Sequence, residues 1–262
     1  QPIAALINTS PDKNLSGMSI DSYQLIELIA HGGMSSVYRS RKAGTQTQKD
    51  VAIKLIPSNL QTNKTTTLFK QELETLAKLH HPNIISLHHG DVSSSGIPYL
   101  VMELIENATQ IDQYFIQQET SLSEIIQQFI TLCHVIAYAH QNHIIHQDIK
   151  PSNVLMDEHG HLLVVDFGVA ALTEVIPNHH AYTLSYAAPE QKTANQIPQP
   201  SFDVYALTSL LIKCLSRCTD DKPGWQQMAI DQLKIDNDLR TILNKGTEEN
   251  ATNRYQQTND LA

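Results

Sequence analysis

The hydrophobic pattern of this chain shifts from mainly strand-like to mainly helical near Glu106, and that shift limits the fold more than any other feature. Before it, apolar residues come in short alternating runs: Tyr23 to Ile29, Ser36 to Arg41, Val51 to Ile56, Ile84 to Leu87 and Tyr99 to Leu104. Alternation with period two reads as β-strand. One helix interrupts these strands, Thr67 to Leu79, where Leu68, Leu73, Leu76 and Leu79 recur near a 3.6 period. His81-Pro82-Asn83 ends it, because proline disfavours helical backbone in the residue before it. After Glu106 the pattern is helical, at roughly 122 to 142, 203 to 217 and 226 to 244. A strand-rich first third and a helix-rich remainder predict an α+β protein of two lobes. The smaller β-rich lobe, with one main helix, would span about 20–103, the hinge about 103–106, and the larger helical lobe about 107–262. Residues 1–19, with Pro2, Pro11 and Gly17 among small polar residues, read as an extension or linker.

Composition narrows the function classes. A chain of 262 residues can bury a sizeable core. With 41% hydrophobic and 17% charged residues it reads as folded rather than disordered. A formal charge of -9 argues against nucleic-acid binding and against nonspecific adhesion to anionic membranes, since both need a basic surface. Cys133, Cys214 and Cys218 make no disulfide framework, which fits a reducing, cytoplasmic compartment. Cys214 and Cys218, four apart in an apolar helical stretch, read as buried thiols in preference to a metal or redox pair. No apolar run reaches the ~18 residues of a membrane span, so this segment is not expected to insert into a bilayer. Ile3 to Ile7 is too short for a signal core and lacks a basic flank. The opening glutamine fits a domain cut from a longer protein, parts of which could anchor it at a membrane.

Two clusters carry chemistry. The first is Ala30-His31-Gly32-Gly33-Met34-Ser35-Ser36-Val37-Tyr38, a turn between predicted strands whose small residues let backbone N–H groups approach phosphate oxygens. Alone it would be an ordinary hairpin. It gains meaning from Val51-Ala52-Ile53-Lys54 on the next strand, where a lysine between Ile53 and Leu55 needs a partner because unpaired buried charge is costly. Glu72, on the inward face of the following helix, is the expected partner; Glu74 lies about 200° around that helix.

The second cluster is His146-Gln147-Asp148-Ile149-Lys150-Pro151-Ser152-Asn153, followed thirteen residues after Asn153 by Asp166-Phe167-Gly168. Asp148 suits the proton of an attacking hydroxyl, and Lys150 can neutralise charge on a transferring phosphoryl group. Asn153 and Asp166 are hard oxygen donors of the kind Mg²⁺ prefers, with substrate phosphates completing its shell. The loop sits between apolar runs read as flanking strands, Ile144-Ile145 and Leu162 to Val165. His-Gln-Asp alone would be a polar loop; order and spacing raise it above that. Thirteen histidines, with His88-His89, His159-Gly160-His161 and His179-His180 adjacent, invite a metal reading, but none stands with cysteine or carboxylate at a strong ligand spacing.

With these segments in order, the chain resembles a eukaryotic-type (Hanks-type) protein Ser/Thr kinase domain from about Tyr23 to its C-terminus. Gly32-Gly33-Met34 and Ala188-Pro189-Glu190-Gln191 are most similar to the bacterial members. The resemblance implies a bilobal fold, ATP with Mg²⁺ (Mn²⁺ being admissible), and a protein substrate. Ala30, Gly32 and Gly33 would form the phosphate loop; Val37 and Ala52 would cover the adenine, with Leu155 beneath it. Met102 would be the gatekeeper and Glu103 to Ile105 the hinge. Lys54, paired with Glu72, would hold the α and β phosphates, with Asp148 the catalytic base and Asn153 and Asp166 on the metal. Leu76, Leu87, His146 and Phe167 would stack as a regulatory spine anchored by Asp203, and Glu190 would pair with Arg254. Lys150, in Asp-Ile-Lys-Pro-Ser-Asn, resembles the Ser/Thr-specific branch. A homodimer is compatible with the sequence, which identifies no surface for it.

Four positions depart from the family pattern. Ala30 and Ser35 replace the first and third glycines of the loop, and Tyr182 stands where glycine precedes Thr183. Gln147 replaces the arginine that normally pairs with a phosphorylated residue of the activation segment, here 166–190. Glutamine supplies neither the charge nor the bidentate fork, so activity is expected to depend weakly on phosphorylation there. Thr173, Thr183 and Ser185 are that segment's hydroxyls, with Thr173 the expected autophosphorylation site. The alternatives are a pseudokinase that binds nucleotide or a partner, and a small-molecule phosphotransferase, which would not need the Ala188-Pro189-Glu190 docking segment.

Overall fold

The computed structural model describes residues 14–32, 35–44, 49–56, 63–167, 185–192, 196–217 and 224–262, without the side chains of residues 63–65, 68 and 72. Of the residues singled out above, Pro2, Ile3 to Ile7, Pro11, Gly33, Met34, Gly168, Thr173, His179, His180, Tyr182, Thr183, Cys218 and the side chains of Leu68 and Glu72 lie outside this description. The chain divides into two units: one of strands around a helix, chiefly residues 1–80 and 85–106, and one mainly of helices, including 81–84, 107–170 and 181–262.

The first unit is built on a six-stranded sheet ordered β1-β2-β3-β4-β6-β5. These are Ser19–Ile20, Tyr23–Gly32, Ser35–Lys42, Asp50–Leu55, Pro98–Glu103 (β6) and Leu87–Val92 (β5). Every pairing is antiparallel, with short connections joining β1 to β2, β2 to β3, β3 to β4 and β5 to β6. Alternation sorts the side chains: Leu25, Tyr38, Ile53, Leu55, Tyr99 and Val101 enter one buried cluster with Leu15 and Ile20. Leu15 also donates its N–H to the Tyr38 hydroxyl at 3.2 Å, so packing of this unit reaches back into the segment read as an extension.

Helix α1, Asn63–Leu76, packs against β5, where Gly90 admits it. A Cβ on Gly90 would lie 2.6 Å from a Leu73 methyl. The Lys70 ammonium meets Asp91 at 2.8 Å on the same strand. The strand expected at Ile84 to Leu87 is instead Leu87–Val92, and Ile84 makes an isolated bridge to Val164 in the second unit. The hairpin turn after it closes on Ser93, whose hydroxyl accepts from Ile97 N–H at 3.0 Å.

In the second unit, α2 (Ile111–Gln117), α3 (Leu122–Gln141), α4 (Pro200–Ser216), α5 (Trp225–Gln232), α6 (Asn237–Gly246) and α7 (Thr258–Leu261) join a small sheet. That sheet is β7 (Thr109–Gln110), β8 (Val154–Met156) and β9 (Leu162–Val164). Helix α3 starts in a capping box of Ser121 and Glu124, which satisfies two otherwise orphaned N–H groups. Its 20 residues are long and apolar enough on length and composition to cross a membrane. Yet Ile125, Phe129, Leu132, Ile136 and Ala139 bury one stripe in the unit's interior, as in a core helix. Helix α4 begins at Pro200, favoured in a first turn, and is buried over most of its length. Cys133 and Cys214 are buried thiols, and burial pushes Cys133 up to about 12, which leaves it unreactive.

The helix expected at 226–244 is two helices, α5 and α6, because Asp236 caps a new start by accepting from Leu239 N–H at 2.8 Å. Gly246 closes α6 directly against Thr208 of α4: a Cβ there would stand 2.2 Å from the Thr208 hydroxyl oxygen and 2.8 Å from its methyl. Thr208 is stiff about χ1 and its hydroxyl bonds Val204 O at 2.8 Å, so it cannot turn aside without loss. Gly246→Ala should therefore destabilise by about 1–3 kcal/mol of overpacking, which outweighs the ~1 kcal/mol alanine offers a helix. Denaturant unfolding measures this; a stabilised variant would contradict the contact.

Candidate active site

Register places the first group of candidate residues. Ala30 faces Val37, Val37 faces Lys54, Lys54 faces Leu100, and Ala52 faces Met102 across successive strands. Directly opposed residues share a sheet face. Ala30, Val37, Ala52, Lys54 and Met102 thus lie on the face opposite the buried cluster of Tyr38, Ile53 and Val101. Lys54 is only 4% exposed, so its ammonium sits where an anion is needed to offset desolvation. Gly32 ends β2 and pairs with Ser35. Glu103 closes β6, its N–H bonded to Ser86 O at 3.0 Å, and half-buried Ile105 follows. The chain passes from one unit to the other after Glu106, whose carboxylate pairs with Arg39.

The second group belongs to the helical unit. Its loop is entered from α3: Ile144 N–H bonds back to Ala139 O at 3.0 Å, and among the described residues Ile144-Ile145 pairs with no strand. Asp203, fully buried at the start of α4, accepts N–H from His146 through Oδ2 and from Gln147 through Oδ1, both at 2.8 Å. The His140 ring meets Asp203 Oδ2 at 2.7 Å. The His146 ring has one assignment that fits: Nδ1 accepts from Asp148 N–H at 3.3 Å, and Nε2 donates to Val165 O at 3.0 Å. It also packs on Phe167, ring centroids 4.7 Å apart.

These anchors hold two residues in the left-handed region, Gln147 at φ 67 and Asp166 at φ 65. Such backbone costs of order 1–3 kcal/mol for a residue with a side chain and concentrates at working sites. Between them the reactive groups converge. Lys150 Nζ lies 2.7 Å from Asp148 Oδ2, and Asn153 Nδ2 donates to Asp148 Oδ2 at 3.1 Å and to its backbone oxygen at 2.8 Å. Turning the amide nitrogen toward Asp148 directs Asn153 Oδ1 the other way. Val165 N–H bonds Asn153 O at 3.0 Å, continuing the β8–β9 register, so Asn153 and Asp166 stand at one end of that hairpin. Leu155, half-buried, lies on β8. Two hard oxygen donors side by side match the type of ligand Mg²⁺ prefers.

A third group steadies the segment beyond residue 184. Arg254 forks onto Glu190 at 2.7 and 2.9 Å and also bonds the carbonyls of Glu248, Glu249 and Ser201 at 2.5, 2.8 and 3.3 Å. Its guanidinium lies over the Tyr205 ring, 4.9 Å from the centroid. Trp225 Nε1 and Gln226 Nε2 donate to Ser185 O at 3.2 and 3.3 Å.

Among the described residues, no three His, Cys, Asp or Glu side chains gather where they could hold a metal ion by themselves. His161 is engaged with Asp157 at 3.0 Å in the β8–β9 turn. The structure thus brings Asp148, Lys150 and Asn153 into one cluster, places Asp166 beside it, and stacks His146 on Phe167. Leu76 and Leu87, expected to continue that stack, belong to the strand unit. His140, Trp225, Gln226 and Gln191 were not singled out for a role by sequence reasoning. Their roles depend on groups far away in the chain, the Asp203 carboxylate for His140 and backbone carbonyls for the other three, which leave no local pattern.

Residues 23–261 match the family model for the protein kinase domain, and the chain belongs to that family. It is 28% identical over 259 residues to serine/threonine-protein kinase PknB of Mycobacterium tuberculosis (strain ATCC 25618 / H37Rv), covering 90% of this chain and 41% of that protein. It is 30% identical over 268 residues to serine/threonine-protein kinase PrkC of Bacillus subtilis (strain 168), covering 95% of this chain and 40% of the relative. The chain therefore spans about two fifths of the length of these curated relatives. Among solved structures, the Mycobacterium tuberculosis PknI kinase domain aligns with a TM-score of 0.73 at 21% identity, over 95% of this chain and 97% of that one. At that identity the likeness is one of fold: a β-sheet lobe and a helical lobe of the protein-kinase type.

Proposed function

We propose that this domain is a protein serine/threonine kinase, transferring the γ-phosphoryl group of ATP to a Ser or Thr hydroxyl of a protein substrate. The observation that carries the reading is the cluster in which Lys150 and Asn153 both hold Asp148 Oδ2, at 2.7 and 3.1 Å. With its plane fixed in this way, the Asp148 carboxylate orients the incoming hydroxyl and takes its proton as the new O–P bond forms. The bond from the γ-phosphorus to the β–γ bridging oxygen breaks, and ADP leaves with that electron pair. Lys150 offsets charge on the transferring group, which is where most of the catalysis resides.

Lys54 holds the α and β phosphates. On the strand unit, nucleotide contacts fall to Ala30, Gly32 and Gly33 for the phosphates and to Val37, Ala52, Met102 and Glu103 to Ile105 for the adenine; on the helical unit, the adenine contact falls to Leu155. Asn153 and Asp166 would hold a divalent cation, Mg²⁺ or Mn²⁺, which would offset the negative charge of the phosphates. The relatives' name, serine/threonine-protein kinase, supports the choice of hydroxyl. A cytoplasmic site of action follows from the ATP requirement.

The test is radiolabel transfer from ATP–Mg²⁺ to a generic basic protein, with nucleotide binding followed in parallel. Transfer onto Ser or Thr supports the reading; binding without transfer would make the domain a nucleotide-binding signalling module. Gln147 further implies that no arginine–phosphate pair is there to lose. Thr173→Ala should then change the transfer rate by no more than about twofold, and a large loss in steady-state rate would sink this part.

A further inference from the structure

One side chain ties the docking segment to the catalytic loop. Gln191, 8% exposed, follows Glu190 and uses both ends of its amide: Oε1 accepts from Ala188 N–H at 2.8 Å, and Nε2 donates to Gln147 O at 3.0 Å. The acceptor is specific to this loop. Gln147 stands at φ 67 with its N–H on Asp203, and its carbonyl accepts from Gln191. That carbonyl belongs to the peptide unit carrying Asp148 N–H, which is itself bonded to His146 Nδ1. The Gln147–Asp148 peptide plane is therefore gripped on both edges, by His146 at the N–H and by Gln191 at the carbonyl.

We propose that Gln191 is a positioning residue for Asp148, a neutral bridge that sets the catalytic carboxylate relative to the peptide-docking segment. It does so in a loop where Gln147 replaces the arginine that would read a phosphate. The proposal rests on the kinase reading above and deepens it, giving a physical means by which the segment stays coupled to the loop without phosphorylation. An amide is required because it donates at one end and accepts at the other. A carboxylate of the same shape accepts from Ala188 but faces the Gln147 carbonyl with a second acceptor, so the donor bond is lost and repulsion replaces it. Lys150 and Asn153 still hold Asp148 Oδ2 in that variant, so the defect is one of placement rather than of chemistry.

The test compares wild type with Gln191→Glu and Gln191→Met in two measurements. In steady-state transfer to a basic protein, both variants should lower kcat roughly tenfold or more, as expected for loss of a buried hydrogen bond that orients a catalytic group. KM for ATP should stay near wild type, and the domain should stay folded at the assay temperature even though losing the buried bond lowers the melting temperature by roughly 3–10 °C. In amide hydrogen exchange, the peptide spanning 144–150 should lose protection in both variants while α3 and α4 do not. A kcat within twofold of wild type, or unchanged exchange in the loop, overturns the proposal. So does a rate loss that only tracks unfolding at the assay temperature, which marks a merely structural role. If wild type itself transfers nothing, the kinase reading fails and the exchange arm alone decides whether Gln191 grips the loop. If Gln191→Glu does not fold, Gln191→Met carries both measurements.

Discussion

Asp148→Asn is expected to lower phosphoryl transfer by roughly a thousandfold, within the 10²–10⁴ range of a positioned general base, and to leave nucleotide binding nearly unchanged. Asparagine keeps the volume and one oxygen, so contacts with Lys150 and Asn153, now 2.7 and 3.1 Å from Asp148 Oδ2, can re-form with little movement. What disappears is the negative charge that draws the hydroxyl proton. Lys54, the sheet face around Ala52 and strand β6 are untouched by the change. A drop in kcat with an unaltered nucleotide Kd separates loss of chemistry from loss of binding. Undiminished transfer by the variant would refute the mechanism.

The second large effect concerns stability. Arg254, with a fully buried side chain, spends its guanidinium on Glu190 and on the carbonyls of Glu248, Glu249 and Ser201. Glu190→Ala leaves that charge buried with neutral acceptors only. Breaking a buried pair from one side costs about 3–5 kcal/mol, or a fall of roughly 10 °C in melting temperature for a domain of this size. Glu190 is 20% exposed along its side chain, so water can reach one edge of the site and the lower end of that range applies. Thermal unfolding of Glu190→Ala beside Glu190→Gln checks this, with the amide expected to recover part of the loss. A variant as stable as wild type would show that the pair contributes nothing net.

Much of the fold was legible because its determinants are periodic. Alternation marked β2, β3, β4 and β6, and the 3.6-residue stripe of Ile125, Phe129, Leu132 and Ile136 marked α3. Where determinants are local or borrowed, the reading drifted. The break between α5 and α6 rests on one capping carboxylate, Asp236, while Ile230, Leu233, Ile235 and Leu239 keep the apolar residues coming across it. Strand β5 shows no alternation because Gly90 yields its side-chain space to Leu73 and Leu100. Helix α2 buries only Ile111 and Phe115, too few residues to display a period.

The candidate site divides in the same way. Asp148, Lys150 and Asn153 stand close in sequence, so short-range geometry brings them together once Pro151 sets the 3₁₀ turn. Gln191 lies 44 residues from the carbonyl it holds, and a glutamine after Glu190 signals nothing until Gln147 is seen in its left-handed conformation. The same holds for His140, whose meaning depends on Asp203 of α4.

Intact-mass and phosphopeptide analysis after incubation with ATP–Mg²⁺, run on wild type and Asp148→Asn together, tests the central claim most directly. The kinase reading predicts added phosphate on Ser or Thr of wild type, including Thr173, and none on Asp148→Asn. Wild type left unmodified and unable to label any added protein, or equal phosphate on both forms, would contradict it.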